Sequence, residues 1–146
     1  MSRYETFLRL IEAWQRKDID GVLAFVADDI VWHYAAGPMP PVRGKATMRK
    51  LLQNFQADMH NVEWRIFAWA ESGDRLFLEG VDEYQTADGR RVAAPYAGVI
   101  DFRGDLVSGW RDYVDLGLIA SQKAGDPVSR HVEDLLARPR AVGAPD

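Results

Sequence analysis

From Val62 onward the hydrophobic residues change from helical spacing to an alternation at every second position. Such alternation is typical of strands with one buried face, because successive side chains of a strand point to opposite sides. The joints between the alternating segments carry Gly beside Asp or Ser, which is typical of hairpin turns. The pattern predicts a meander of four strands at Val62–Glu71, Arg75–Thr86, Arg90–Phe102 and Leu106–Asp115.

The residues before this meander predict helices. Tyr4–Arg16 carries apolar residues at helical spacing behind a candidate capping box. A short second helix, capped by Asp18 or Asp20, is expected to run through Val26. Helices first and antiparallel strands after predict an α+β fold, with helices packed on one side of a curved sheet. The other predicted elements are a strand at Ile30–Tyr34, a proline-rich loop ending at Gly44, and a third helix with Met48, Leu51, Leu52 and Phe55 as its apolar stripe.

The C-terminal segment is interpreted as an addition to a single domain. Asp126–Pro145 predicts one short amphipathic helix and then a loose tail rich in Pro, Gly and Ala. Residues 1–125 are therefore predicted to form the domain, and residues 126–146 its C-terminal helix and tail. A chain of 146 residues, 47% of them hydrophobic, is long enough to build a core.

Charge and composition argue against several kinds of function. A formal net charge of -4 disfavours nucleic acid and anionic membranes as partners, since both require a basic surface. No apolar run approaches the roughly 20 residues that span a bilayer. No signal-peptide core precedes the first helix, so a cytoplasmic, soluble protein is expected. The chain has no cysteine and its three histidines lack metal-ligand spacing, so neither a metal nor another cofactor is expected.

Two aspartates stand in apolar rows of the predicted sheet. Asp112 shares its face with Trp110 and Val114, and Asp82 shares its face with Tyr84. If both rows face one cavity, desolvation and like charge push the two carboxyl pKa values apart, which separates a general acid from a general base. An aspartate in a strand is also often an exposed edge residue, and the sequence leaves both possibilities open.

Aromatic and small residues near these aspartates also allow two interpretations. The aromatic side chains either line a cavity for a flat hydrophobic molecule or fill a solid core. Gly80 marks either a close ligand approach or the curvature of a bent sheet. The small residues Ala93, Ala94, Ala97 and Gly98 are expected to pack against the first helix. The candidate substrate-binding residues are Trp32, Gly80, Tyr84, Tyr96, Trp110 and Val114.

Three motifs of the chain resemble those of a known family. The most specific is GWRDYVDL at residues 109–116; the others are PPVRG at residues 40–44 and EGVD at residues 79–82. With these motifs, the chain from Tyr4 to about Ile119 resembles the SnoaL-like, nuclear-transport-factor-like (NTF2-like) superfamily, and within it the limonene epoxide hydrolase family. The resemblance implies a cone-shaped, cystatin-like α+β roll, in which N-terminal helices pack against a strongly curved, mixed, mainly antiparallel β-sheet.

The same resemblance implies catalytic roles. Asp112 matches the base that activates a water molecule, and Asp82 matches the acid that protonates the epoxide oxygen without a covalent intermediate. Gly80 stands where the family has an Arg that bridges the two aspartates. Trp32 and Tyr34 stand where the family has the Tyr and Asn that hold the water, so Tyr34 is the remaining candidate for that role.

Three functions are compatible with these residues. The first is a cofactor-independent epoxide hydrolase-like enzyme, and the second an isomerase or polyketide cyclase-like enzyme that transfers protons on a hydrophobic carbonyl compound. The third is a non-catalytic domain that binds a hydrophobic ligand. Each takes a small hydrophobic molecule as its partner. Members of the superfamily commonly dimerise through the outer face of the sheet, which implies a homodimer; the apolar residues expected there are Phe67, Trp69, Val99 and Tyr113.

Overall fold

The computed structural model describes residues 1–144, which form a six-stranded, mixed, curved and unclosed sheet with helices packed on it. The predicted α+β fold is therefore confirmed. The helices are α1 Arg3–Gln15, α2 Ile19–Leu23, α3 Lys45–Asp58, α4 Leu116–Lys123 and α5 Arg130–Leu136. The strands are β1 Val26–His33, β2 Val42–Arg43, β3 His60–Ser72, β4 Arg75–Gln85, β5 Arg91–Arg103 and β6 Leu106–Val114.

The sheet has the strand order β2-β1-β6-β5-β4-β3. The predicted meander is confirmed as the antiparallel run from β3 to β6, with the predicted hairpin joints between its strands. The parallel pair β1–β6 makes the sheet mixed. Trp64 of β3 contacts Trp110 of β6 with ring centroids 6.3 Å apart, although two strands lie between them. Strands three positions apart in a flat sheet are separated by about 14 Å, so this contact reports strong curvature.

The first helix provides much of the core on the concave face. Its N-terminus carries the predicted capping box between Ser2 and Glu5, which satisfies backbone N–H groups of the first turn. Phe7, Leu10 and Ile11 are almost fully buried against the sheet. Helix α3 begins after Gly44, whose positive φ of 89° suits a residue without a side chain, and it packs on β1.

The second helix is shorter than predicted. It ends at Leu23, and Val26 already belongs to β1, whose predicted start was Ile30. Val26 and Ala27 are buried in the sheet, where tertiary packing overrides their compatibility with a helix. Asp18, one of the two predicted caps, accepts the backbone N–H of Gly21.

Helix α4 was not predicted from the sequence. Its apolar residues do not follow one helical face, because some line a cavity while others contact the outer side of the sheet. The helix is held by Gln122, which is 1% exposed. The Gln122 side chain accepts the Ala93 backbone N–H at 2.8 Å and donates to the Ala93 carbonyl at 3.1 Å. The Gln122 side chain thus satisfies the Ala93 backbone as a neighbouring strand would, because β6 pairs with β5 only from Tyr96 onward.

A bulge in β3 corrects one prediction about the outer face. The register shifts between Ile66 and Ala68, so Phe67 is the additional residue. After the bulge, Trp69 pairs with Leu78 and stacks on Tyr4 of α1, with ring centroids 4.2 Å apart. The prediction that Trp69 belongs to the outer face is therefore wrong.

The C-terminal segment packs on the outer side of the sheet. The predicted amphipathic helix is α5, and Val132 is buried against Val81 and Ala93 with Phe67 beside it. The described residues after α5 contact the rest of the chain, whereas the sequence predicts a loose tail there. The Ala141 backbone N–H donates to the Ile66 carbonyl at 2.8 Å. The end of the predicted tail, Pro145 and Asp146, lies outside the described residues. None of the helices within residues 1–144 is long and apolar enough to cross a membrane.

Candidate active site

The concave face of the sheet and helices α1, α3 and α4 enclose a cavity of about 250 Å³. Its wall is mainly apolar and aromatic, as expected of a site for a small hydrophobic molecule. All of the predicted site residues except Gly80 line it: Trp32, Tyr34, Asp82, Tyr84, Tyr96, Trp110, Asp112 and Val114. The structure thus brings the two apolar rows of the sequence together around one space.

Asp112 projects from β6 into this cavity and is 6% exposed. The indole Nε1 of Trp110, two residues earlier on the same face, donates to its Oδ1 at 2.9 Å. Burial raises the pKa of Asp112 to about 7, and the Trp110 hydrogen bond acts in the opposite direction because it favours the charged form.

Asp82 projects into the same cavity from β4. Its Oδ1 is buried and has no hydrogen-bond partner among residues 1–144, although the residue as a whole keeps partial exposure. Burial, and then the negative charge of Asp112, raise the pKa of Asp82 to about 8. Asp82 is therefore the carboxyl that holds a proton more strongly, and Asp112 is the one that loses it first.

The lining contains no guanidinium group within the described part of the chain. Arg111 points to the opposite face of β6 and pairs with Asp101, as the alternation of side chains requires. The cationic side chain in the lining is Lys123 of α4, whose Nζ lies 4.0 Å from Asp58 of α3. Two carboxyls without a cation between them retain one proton at neutral pH, because like charges in a low dielectric cannot both ionise cheaply.

The tyrosines of the site differ in what their hydroxyl groups do. The Tyr96 hydroxyl donates to the Arg65 carbonyl at 3.1 Å, so it is committed to the fold. Burial raises the pKa of Tyr84 well above its usual range, with the charges of Asp82 and Asp58 adding to the effect. Tyr34 lines the cavity beside Trp32, with ring centroids 5.7 Å apart.

Gly80 is not part of the lining, which corrects the prediction that it faces the ligand. A Cβ at this position would lie 1.9 Å from the Arg65 carbonyl oxygen and 2.6 Å from the Tyr96 hydroxyl. The glycine therefore makes room for the hydrogen bond between Tyr96 and β3. A larger side chain at position 80 requires that Tyr96 and β3 move.

The small residues of β5 serve the site rather than the first helix. Gly98 lies directly beneath Asp112, and a Cβ there would lie 2.9 Å from the Asp112 Oδ1. Ala94 lines the cavity, and Ala93 bonds to Gln122 of α4. The prediction that these residues pack against α1 is wrong, because α1 lies over β3 and β4.

Several lining residues were not predicted from the sequence. Trp64 shares its strand face with the buried Ile66, so the alternation of β3 contained the signal for it. Leu116, Ile119 and Lys123 carried no such signal, because the helix that presents them lacks an apolar stripe. No group of three or more potential metal ligands occurs within residues 1–144.

Comparison with protein families gives one match that covers most of the chain. A family model described as a SnoaL-like domain matches residues 7–110. No curated protein matches the sequence significantly.

Solved structures with the same fold include two that bear on chemistry. An LEH-like epoxide hydrolase of Mycobacterium tuberculosis is 24% identical, with a TM-score of 0.71 over 82% of this chain and 87% of that one. A putative polyketide cyclase of Xanthomonas campestris pv. campestris is 23% identical, with a TM-score of 0.71 over 82% and 96%. A SnoaL-like polyketide cyclase, also putative, of Shewanella denitrificans has a TM-score of 0.76 at 13% identity, over 85% and 98%. At these identities the likeness establishes the NTF2-like fold.

The buried carboxyls predict a loss of stability as the pH rises. Both bind a proton more tightly in the folded protein, with pKa values of about 8 and about 7, than in the unfolded chain, where an aspartate has a pKa near 3.9. The free energy of unfolding should therefore fall between about pH 4 and pH 8. Asp82→Asn should flatten this dependence and stabilise the protein at pH 8.5 by roughly 2–3 kcal/mol, an effect measurable by urea denaturation. The exposed Asp105→Asn is the control, and an equal pH dependence in Asp82→Asn and the parent would contradict burial of the charge.

The contact between Gly98 and Asp112 predicts a second effect. Gly98→Ala should displace the Asp112 carboxyl and weaken its hydrogen bond from Trp110, since the new Cβ would lie only 2.9 Å from Oδ1. The indole N–H resonance of Trp110 in a ¹H–¹⁵N spectrum should then move upfield. Ala97→Ser, at the exposed neighbouring position, should leave it in place. An unmoved Trp110 resonance in Gly98→Ala would show that the Asp112 carboxyl does not pack against β5 at Gly98.

Proposed function

Because this chain belongs to the SnoaL-like domain family, we propose that its cavity is the active site of a cofactor-independent enzyme that opens an epoxide of a small hydrophobic molecule by direct attack of water. One observation carries the proposal. Two buried carboxyls face the same apolar cavity, and their different surroundings make one an acid and the other a base near neutral pH. The cytoplasmic location expected from the sequence stays a prediction.

Asp112 is the general base of the proposed reaction. Its Oδ1 is held by Trp110, which leaves Oδ2 to accept a proton from water. As that proton moves to Asp112, the water oxygen forms a bond to an epoxide carbon and the carbon–oxygen bond of the ring breaks. Asp82 donates its proton to the leaving oxygen, which yields a neutral diol. A proton then passes from Asp112 back to Asp82, and the pair is ready for another cycle.

The raised pKa values explain how this pair works without a bridging Arg. In the family that the chain resembles, an Arg cation keeps the two carboxyls close together. Here Asp82 instead avoids repulsion from Asp112 by remaining protonated. The Trp110 hydrogen bond favours the charged form of Asp112 and so sets the direction of proton transfer. Tyr34 lines the cavity and is the proposed second contact of the water.

A second reaction is favoured by the lack of a guanidinium group in the described part of the lining. A protonated Asp82 can donate a hydrogen bond to a carbonyl oxygen while Asp112 removes a proton from the neighbouring carbon. The product is an enol that can isomerise or cyclise, which corresponds to the isomerase or polyketide cyclase alternative. The non-catalytic ligand-binding alternative requires instead that neither aspartate exchanges protons with the ligand.

The test of the first reaction is turnover of cyclohexene oxide in H₂¹⁸O. The expected product is a diol with one ¹⁸O from solvent in the first turnover, because no ester with the protein forms. Asp112→Asn and Asp82→Asn should each lower kcat by about 10² or more, as expected for loss of a general base or acid. The kcat/KM should rise near pH 7 and fall near pH 8, as Asp112 and then Asp82 lose their protons.

Asp105→Asn, an exposed loop variant, should retain parental turnover. Hydrolysis that survives Asp112→Asn would remove the assigned base. If no epoxide is opened but deuterium from D₂O enters cyclohexanone beside its carbonyl, the second reaction replaces the first. If neither reaction occurs, the non-catalytic alternative remains.

We also propose a homodimer through the outer face of the sheet. Phe77, Val99 and Tyr113 form an apolar patch there, and Phe77 and Tyr113 are 40% and 52% exposed. Arg75 and Arg111 flank the patch and both pair with Asp101, so charges of both signs border it. A second copy related by a two-fold axis can match such a surface, because the apolar patches of the two copies then meet and charges of opposite sign at their borders can face each other. Phe67 does not contribute, since Arg138 lies over its ring at 4.4 Å.

Sedimentation velocity at micromolar concentration tests the proposed dimer. The parent should sediment as a dimer, and Val99→Asp should sediment as a monomer, because an unpaired charge is then buried at the centre of the interface. Leu106→Asp, which changes an exposed apolar residue at the turn between β5 and β6, should leave the dimer intact. A monomeric parent would refute the proposal.

A further inference from the structure

The indole N–H of Trp32 is a buried donor without an assigned role in the proposed reaction. Trp32 is 5% exposed and lines the cavity, and its Nε1 has no hydrogen-bond partner among residues 1–144. The neighbouring Trp110, which pairs with it across β1 and β6, uses the same group to bind Asp112 at 2.9 Å. Two adjacent tryptophans of one wall therefore differ: one N–H is satisfied by the protein and the other is not.

Packing fixes the orientation of the Trp32 ring. Tyr34, Phe55 and Trp110 contact it with ring centroids 5.7, 6.1 and 6.1 Å away. Two of these contacts are edge-to-face, so the ring is enclosed by aromatic surfaces and cannot turn its N–H toward bulk solvent without displacing them. A buried donor without an acceptor destabilises a protein, and the group that satisfies Trp32 must come from the contents of the cavity.

Trp64 has a second unpartnered indole N–H in the lining, but an acceptor is close to it. Its ring packs on Tyr96 with centroids 4.6 Å apart, and a hydrogen bond from Trp64 to the Tyr96 hydroxyl is within reach. Trp32 has aromatic ring faces and edges as its packing partners. It is therefore the donor that a ligand is best placed to satisfy.

We propose that Trp32 Nε1 is a specificity-determining donor, which binds a carbonyl oxygen on a neutral, largely apolar ligand in this cavity. This carbonyl oxygen is distinct from the epoxide oxygen that Asp82 protonates. The inference rests on the proposed function and narrows its substrate to a keto-epoxide, a molecule that carries both groups. In the second reaction it is a further oxygen, beside the carbonyl that Asp82 contacts.

The charges of the cavity select a neutral ligand. A carboxylate on the ligand would be repelled by Asp112 and would meet no guanidinium group among the described lining residues. The lining cation, Lys123, is already paired with Asp58. A ligand ammonium group would satisfy a carboxyl but not Trp32, which requires an acceptor. A carbonyl oxygen accepts the N–H without bringing another donor into the apolar wall.

Binding of two matched probes tests the inference separately from catalysis. 1-Indanone and indane have the same bicyclic frame, and 1-indanone alone has a carbonyl oxygen. In ¹H–¹⁵N spectra of the parent protein, 1-indanone should move the Trp32 indole N–H resonance downfield, whereas indane should not. Trp32→Phe identifies that resonance and should weaken 1-indanone binding about 5- to 10-fold, as expected for loss of one hydrogen bond. Its affinity for indane should change less than about 2-fold.

Trp69→Phe is the matched control, because Trp69 stacks on Tyr4 outside the lining. It should leave both affinities unchanged. If Trp32→Phe does not fold, benzothienylalanine at position 32 keeps the shape of the indole and removes only the donor, and the same selective loss is expected. Equal weakening of both probes, an unmoved Trp32 resonance with 1-indanone bound, or no binding of either probe would each overturn the inference.

The outcome is distinguishable from failure of the proposed reaction. Asp112→Asn, which should abolish turnover, should still bind 1-indanone with the same downfield shift at Trp32. Selective binding without epoxide opening would therefore support the donor role while refuting the hydrolase. Epoxide opening without any preference for 1-indanone over indane would do the reverse.

Discussion

Removal of two carboxyl groups from water is the constraint on which the site depends. Asp82 and Asp112 lie in a cavity whose lining, within residues 1–144, offers one of them an indole N–H and offers neither a guanidinium group. Solvation that would otherwise stabilise both anions is replaced by an apolar wall, so the pair must keep a proton. Burial is thus the physical origin of the raised pKa values of both aspartates, on which their proposed roles as acid and base depend.

The fold maintains this burial through curvature. A flat sheet would leave the face that carries the aspartates open to solvent. Here the sheet curves so strongly that Trp64 of β3 and Trp110 of β6 are in contact. Two glycines allow the close contacts that this shape requires. Gly80 accommodates the Tyr96 hydroxyl and its bond to β3, and Gly98 accommodates the Asp112 carboxyl. Residues without side chains therefore position the polar groups of an otherwise aromatic site.

The alternation of the strands made much of the site predictable. It placed Asp112 and Asp82 in apolar rows of their strands, because side-chain direction follows from parity alone while a strand stays regular. The sequence left open whether these rows face a cavity or the solvent. The same rule failed at Trp69, because the bulge at Phe67 inserts one residue and reverses the parity beyond it. It also gave no account of α4, whose residues face a cavity on one side and the sheet on the other, so that no single apolar stripe forms.

The sequence by itself determined the α+β class, the order of the meander and the membership of both aspartates in apolar rows. These properties are encoded locally, in hydrophobic periodicity and in turn residues. Only the tertiary structure decided that the rows share one cavity, that Trp110 binds Asp112, and that the indole N–H of Trp32 has no hydrogen-bond partner among the described residues. These facts depend on how far the sheet curls and on which ring packs against which, and such distances between remote residues are not written in any local pattern.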